Sequence, residues 1–210
     1  PEERSTWRDY LPQLAAILRH QPAYRRVIAA WLISGLAGLA SPFYMLYATD
    51  QLGLATQTIG LFIGAQTAGG LLASLGLSAL AERRGPGAVI RVTVAVSITG
   101  PLAALALHWA HSAGWLPYVY AWVFVVLGVV GSCTMLGWMN YVLELAPAGH
   151  RPTYMGLSNT LGGLLVLVPI LGGWLLQVTS YPVLFAASLV GPAVALAIAM
   201  RLPLSPARSG

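Results

Sequence analysis

The sequence predicts an all-α membrane protein of six transmembrane helices, and three observations carry that expectation. Hydrophobic residues make up 57% of the 210-residue chain and charged residues only 8%, against roughly 25% charged in a soluble domain. A folded chain of this size still exposes much of its surface, and 11 basic plus six acidic residues cannot solvate it. Six long apolar runs follow one another, and every basic residue, all of them arginine, falls on one side of the alternation those runs impose. Soluble enzyme, disordered tail and disulfide scaffold are excluded. The single Cys133 cannot form an intramolecular disulfide.

Residues 1–26 read as a linker that ends in basic residues. Within it Trp7, Leu11, Leu14 and Leu18 recur at helical spacing, with Arg8, Gln13 and Arg19 elsewhere on the wheel. That pattern predicts an amphipathic helix over 5–20 lying in the membrane interface. Ser5 or Thr6 would cap it, while Pro12 works against it. No charged region leads into a short apolar stretch with a cleavage site, so no signal peptide is expected. The spans are expected at 27–48, 57–80, 88–108, 116–143, 153–177 and 182–200, each near the ~20 residues that cross a ~30 Å hydrocarbon core. Thr49-Asp50-Gln51, Glu82 to Pro86, His108 to Gly114, Glu144 to Pro152 and Thr179 to Pro182 separate them. Residues 203–210 read as a tail. The runs are apolar nearly all round with no period of two, which argues against an alternating barrel. Backbone groups in lipid must be satisfied internally, so the spans are helices.

The arginines orient the bundle. Arg4, Arg8, Arg19, Arg25 and Arg26 precede the first span, and Arg83, Arg84 and Arg91 lie in or just after the second connection. Arg151 is in the fourth, Arg201 and Arg208 are in the tail, and the other connections have none. The positive-inside rule therefore places both termini in the cytoplasm. The net charge of +5 is spent at span ends, so no nucleic-acid partner is expected; the surrounding partner is membrane lipid.

Small residues let helices approach closely where water cannot drive association. Ser34, Gly38 and Ser41 form a stripe on the first span beside Gly35 and Pro42. The fourth carries Gly128, Gly131 and Ser132; the fifth carries Gly156, Thr160, Asn159, Gly163, Pro169 and Gly173; the sixth carries Gly191-Pro192. Tight packing explains any one of them, and together with the prolines they suggest helices that bend or slide. A charge at the bilayer centre costs at least ~2.5–3.5 kcal/mol; Asp50, Glu82, Arg91, His108, His111 and Glu144 all sit at span ends. The deep polar groups are neutral: Gln66, Thr67, Ser132, Cys133, Thr134 and Asn159. Gln66 and Asn159 either bond between helices or line a cavity, and Tyr44 and Tyr47 either join an aromatic belt at the interface or line the same cavity.

Catalysis reads poorly. Cys133 has no histidine or acid at its depth to activate it. No Gly-x-Ser-x-Gly elbow, Walker-type loop or His-Glu-x-x-His pair occurs. His108 and His111 offer two metal ligands without a third. No cofactor is implied, and the chain does not read as an enzyme.

Ser78-Ala79-Leu80-Ala81-Glu82-Arg83-Arg84-Gly85 resembles the loop signature of the major facilitator superfamily, Gly-x-Leu-Ala-Asp-Arg-x-Gly followed by basic residues. Ser78 replaces its first glycine, Glu82 its aspartate and Pro86-Gly87 the basic pair, a decay that resembles the family's second half. Glu144-Leu145-Ala146-Pro147 to Arg151, leading into Tyr154-Met155-Gly156-Leu157, is similar to the loop between that family's tenth and eleventh helices. Pro42-Phe43-Tyr44 is similar to its seventh helix.

The resemblance implies half of a major-facilitator-type bundle: the C-terminal six-helix half of a transporter of the cell inner (plasma) membrane. Substrate would lie between two halves that rock in alternating access, by secondary active or facilitative transport. The other half would be the N-terminal one of the same protein or, for a stand-alone half, a second copy in a homodimer. By position in the family, the first and fourth helices line the cavity and the second and fifth flank it. That makes Ser34, Ser41, Tyr44, Gln66, Trp138 and Asn159 the candidate substrate-binding residues. A neutral, aromatic lining suits neutral small molecules. Ser78, Glu82, Arg83, Arg84, Gly85, Glu144 and Arg151 would form a cytoplasmic gate. Gly85 and Gly87 would permit its tight turn, and replacing Arg83 is expected to shift the conformational balance. A transporter-like sensor or scaffold without flux is the competing reading.

Overall fold

The computed structural model describes residues 21–109 and 114–204; the amphipathic helix expected over 5–20, His111 and residues 205–210 lie outside the described residues. Six helices are long and apolar enough to cross a membrane: α1 Pro22–Asp50, α2 Thr58–Arg84, α3 Pro86–Trp109, α4 Leu116–Leu145, α5 Ala148–Val178 and α6 Tyr181–Ala199. No strand occurs among the described residues.

Prolines set most of the helix starts. Pro22, Pro86, Pro117, Pro152 and Pro182 each sit in the first turn of an α-helical segment, where the missing N–H would have had no partner and φ is already near the helical value. α1 accordingly begins at Pro22, within the stretch expected to be linker. Tyr24 and Val27 are fully buried, and the Tyr24 hydroxyl pairs with Ser158 Oγ of α5 at 2.9 Å. Burial of an aromatic body with a satisfied polar tip extends the helix toward the basic end of the bundle.

The second connection is shorter than expected. α2 continues to Arg84 and α3 starts at Pro86, so Gly85 alone joins them, at φ 82° and ψ 167°. Residues with a Cβ are disfavoured there. Gly87 does not share in the turn. It lies inside α3, donates its N–H to the Leu204 carbonyl at 2.9 Å, and leaves the space a Cβ would need to the carbonyls of Pro203 and Leu204. The first residues of the expected tail are therefore strapped across the start of α3.

Backbone contact between helices runs through glycines. A Cβ on Gly128 of α4 would fall on the Gln66 carbonyl oxygen of α2, and beside it Ser132 Oγ donates to the Gly70 carbonyl at 2.9 Å. Gly191 of α6 sits against the Ile33 carbonyl of α1, and Gly172 of α5 against that of Leu39. Gly131, Gly156 and Gly163 face open space instead. In the most apolar 18-residue window of each span, half of α3 is buried but only 11% of α2 and of α5. α3 is thus interior, and α2 and α5 present their sides outward.

Three spans are interrupted near mid-length. α1 tightens to a 3-10 turn over Gly35–Leu39 and resumes after Pro42. α5 does the same over Leu164–Leu167, just before Pro169. α4 widens to a π-helix over Thr134–Met139, an irregularity common at functional sites. One buried cluster, including Tyr24, Trp31, Trp138 and Tyr154, fills the basic end. A second, including Tyr44, Tyr47, Phe62, Tyr120 and Phe185, fills the far end.

Candidate functional site

Between these clusters lies a cavity of about 300 Å³, walled by α1, α3 and α4 with Leu165 of α5. Trp31 and Trp138, stacked with centroids 6.4 Å apart, belong to its basic-end wall. Tyr44 stands at the other end, stacked on Phe185 at 5.4 Å, while Tyr120 donates to the Tyr44 carbonyl at 2.8 Å. Among the described residues, no charged side chain lines the cavity.

The local helix geometry determines what its hydroxyls offer. Ser34 Oγ donates to the Trp31 carbonyl at 2.7 Å, Ser41 Oγ to Gly38 at 3.0 Å and Ser97 Oγ to Val94 at 2.7 Å. Each serine spends its proton on its own helix and keeps lone pairs. Thr93 Oγ1, on a residue only 2% exposed, has no oxygen or nitrogen hydrogen-bond partner among the described residues, and the Cys133 thiol is its polar neighbour. Cys133 is equally buried on the α4 wall.

Of the six residues singled out as substrate-binding, Ser34, Ser41, Tyr44 and Trp138 line this cavity. Gln66 does not. It borders an open groove of about 580 Å³ between α2 and α4, with Thr67, Ser74 and Ser132. Leu127 and Gly131 border both spaces, so α4 alone divides them. Asn159 is exposed on α5 beside buried Ser158 and borders neither space. Tyr44 and Tyr47 are buried rather than placed in an interface belt, and Tyr47 bonds His108 Nδ1 at 2.8 Å.

Thr93 and Ser97 were missing from the expected lining because the family pattern draws attention to the first and fourth helices. A signal was present: Ser97 follows Thr93 by four residues, and Gly100 and Pro101 follow Ser97 by three and four along α3. These are the spacings of one helix face.

A third space, a groove of about 350 Å³ at the basic end, gathers Glu82, Asn140, Glu144 and Arg151 with Ala81, Pro86 and Leu143. Three of the seven gate candidates thus meet. Ser78 is half-buried one turn earlier, and Arg83 and Arg84 are exposed in the last turn of α2. Their charge there opposes the negative end of the helix dipole. Gly85 makes the turn.

Six apolar helices around a neutral internal cavity define a multi-pass membrane protein. The family model for the Major Facilitator Superfamily matches residues 26–210, and the chain belongs to that family of membrane transporters. No curated protein and no solved structure matches the chain.

Proposed function

We propose that this chain is the C-terminal six-helix half of an alternating-access transporter, and that the cavity between α1, α3 and α4 receives its substrate. One observation carries the reading: a cavity of about 300 Å³, lined by aromatic and neutral polar groups and by no charge, lies beside the interrupted stretches of α1 and α4. Such a lining binds neutral, largely apolar small molecules. The irregular backbone around it is a place where these helices can flex.

The one-sided arginines support a cytoplasmic basic end, in a reading of the chain as a protein of the cell inner membrane. The outward sides of α2 and α5 carry Gln66, Thr67, Asn159 and Thr160 exposed, polar groups unsuited to lipid. They face the other six-helix half, the N-terminal one of the same protein or a second copy, across a watery pathway. Glu82, Glu144 and Arg151 close that pathway at the cytoplasmic rim.

The test is flux. Proteoliposomes holding the full-length protein are assayed with a panel of neutral aromatic compounds. Saturable transport of at least one compound, lost in Trp138→Ala protein that is still folded in the liposomes, supports the reading. Uptake no faster than in protein-free liposomes across the panel contradicts it.

A further inference from the structure

We infer that Thr93, on α3, is the specificity-determining hydrogen-bond donor of the cavity, and that it selects neutral molecules presenting a carbonyl-type acceptor on an apolar body. This deepens the reading of the cavity as the substrate's and rests on it. The observation is an imbalance. Ser34, Ser41 and Ser97 give their protons to carbonyls of their own helices, whereas buried Thr93 Oγ1 lines the cavity with no oxygen or nitrogen partner among the described residues, only the Cys133 thiol beside it. Leaving a buried donor unsatisfied costs free energy that a partner recovers, so the wall favours whatever supplies an acceptor at that point. The Cys133 thiol on the same wall is a weak partner at best.

The rest of the lining sets the ligand's body. Trp31, Trp138 and Tyr44 offer aromatic faces, and valines 94, 123, 126 and 130 offer aliphatic surface. With no basic residue among the described lining residues, an anion is left uncompensated, and a cation meets only the aromatic faces. A ring or chain carrying one carbonyl gives Thr93 its acceptor and the apolar walls their contact, and leaves the serine lone pairs to water. Water would satisfy Thr93 alone, and the experiment separates the two.

Cys133 supplies the readout, because it shares the cavity wall. Alkylation of Cys133 by a small neutral thiol reagent is followed by peptide mass mapping in the detergent-solubilised full-length protein. It is measured with cyclohexanone, with methylenecyclohexane (the same ring and shape without the oxygen), or with neither. The expected result is protection by cyclohexanone and about tenfold weaker protection by methylenecyclohexane, the size of one buried hydrogen bond. Thr93→Val, nearly the same shape without the hydroxyl, erases the difference between the probes, and Thr93→Ser restores it. Equal protection by both probes in the unmodified protein, or a preference for cyclohexanone that survives Thr93→Val, overturns the assignment. So does protection by neither probe, which leaves Thr93 a water site; where burial keeps the Cys133 thiol inert, Ser34→Cys on the same cavity wall serves as the reporter. The assay needs no flux: transport with no carbonyl preference removes only the role of Thr93, and carbonyl-selective protection without transport removes only the transporter reading.

Discussion

Trp31 of α1 and Trp138 of α4 stack with ring planes 16° from parallel, and together they separate the central cavity from the cluster packed at the basic end. Two helices that must part for the cavity to open toward that end are held there by an aromatic pair. Such a pair contributes about 0.5–1.5 kcal/mol beyond the area it buries. Trp138→Ala is expected to destabilise the protein by about 3 kcal/mol, and Trp138→Phe by much less. Unfolding in a denaturant titration of the detergent-solubilised protein checks the ordering.

The crossing of α2 and α4 depends on a missing side chain. A Cβ on Gly128 would collide with the Gln66 carbonyl oxygen, whereas one on Gly76 meets nothing within 4 Å. Gly128→Ala is expected to cost about 1–3 kcal/mol through overpacking. Gly76→Ala should leave stability unchanged or raise it by up to about 1 kcal/mol, from helix propensity. The same denaturant titration reads both, and a harmless Gly128→Ala would refute the close crossing.

The start of α3 is tied to the segment after α6. Arg91 Nε donates to the Ala199 carbonyl at 3.1 Å, and its Nη2 donates to those of Met200 and Leu202. Tyr141 donates to the Pro203 carbonyl at 3.1 Å. A lysine cannot reproduce this fork of donors. Arg91→Lys should therefore loosen residues 200–204 and speed exchange of the Gly87 amide, whose acceptor is Leu204, by about tenfold or more. Hydrogen exchange with mass spectrometry measures it.

At the basic rim, two carboxylates and one guanidinium share a groove: Glu82, Glu144 and Arg151. Removing the cation leaves two like charges lining one groove. Arg151→Gln is expected to open the rim, so that an Asn140→Cys reporter in the same groove labels several-fold faster with an impermeant maleimide. Arg83→Gln, at an exposed site outside the groove, should change the rate little. Equal effects would show that the groove is not the closure.

The architecture was largely legible because lipid imposes length and composition on every span, and the prolines mark most of the starts. What escaped was rotational phase. α2 and α3 are apolar nearly all round, since a lipid-facing side chain and a core-facing one are equally greasy. Nothing in the pattern says that Gln66 faces a groove rather than the cavity, or that Asn159 faces outward beside buried Ser158. Thr93 and Ser97 share a face of α3 at helical spacing, but the family pattern points to the first and fourth helices instead. Gly87 was misread because its purpose is a contact with residues more than a hundred positions away, which local spacing does not encode. The π-helical stretch of α4 has no proline to announce it; Gly137 within it lies close to Cys133, Ile90 and Val89.

The most direct test asks whether the cavity meets both aqueous phases in turn. Ser34→Cys, made in a Cys133→Ser background of the full-length protein, is exposed to a membrane-impermeant thiol reagent in right-side-out and in inside-out vesicles. Labelling from each side, with conditions that speed one slowing the other, is the outcome the account predicts. Labelling confined to a single side under every condition would contradict it.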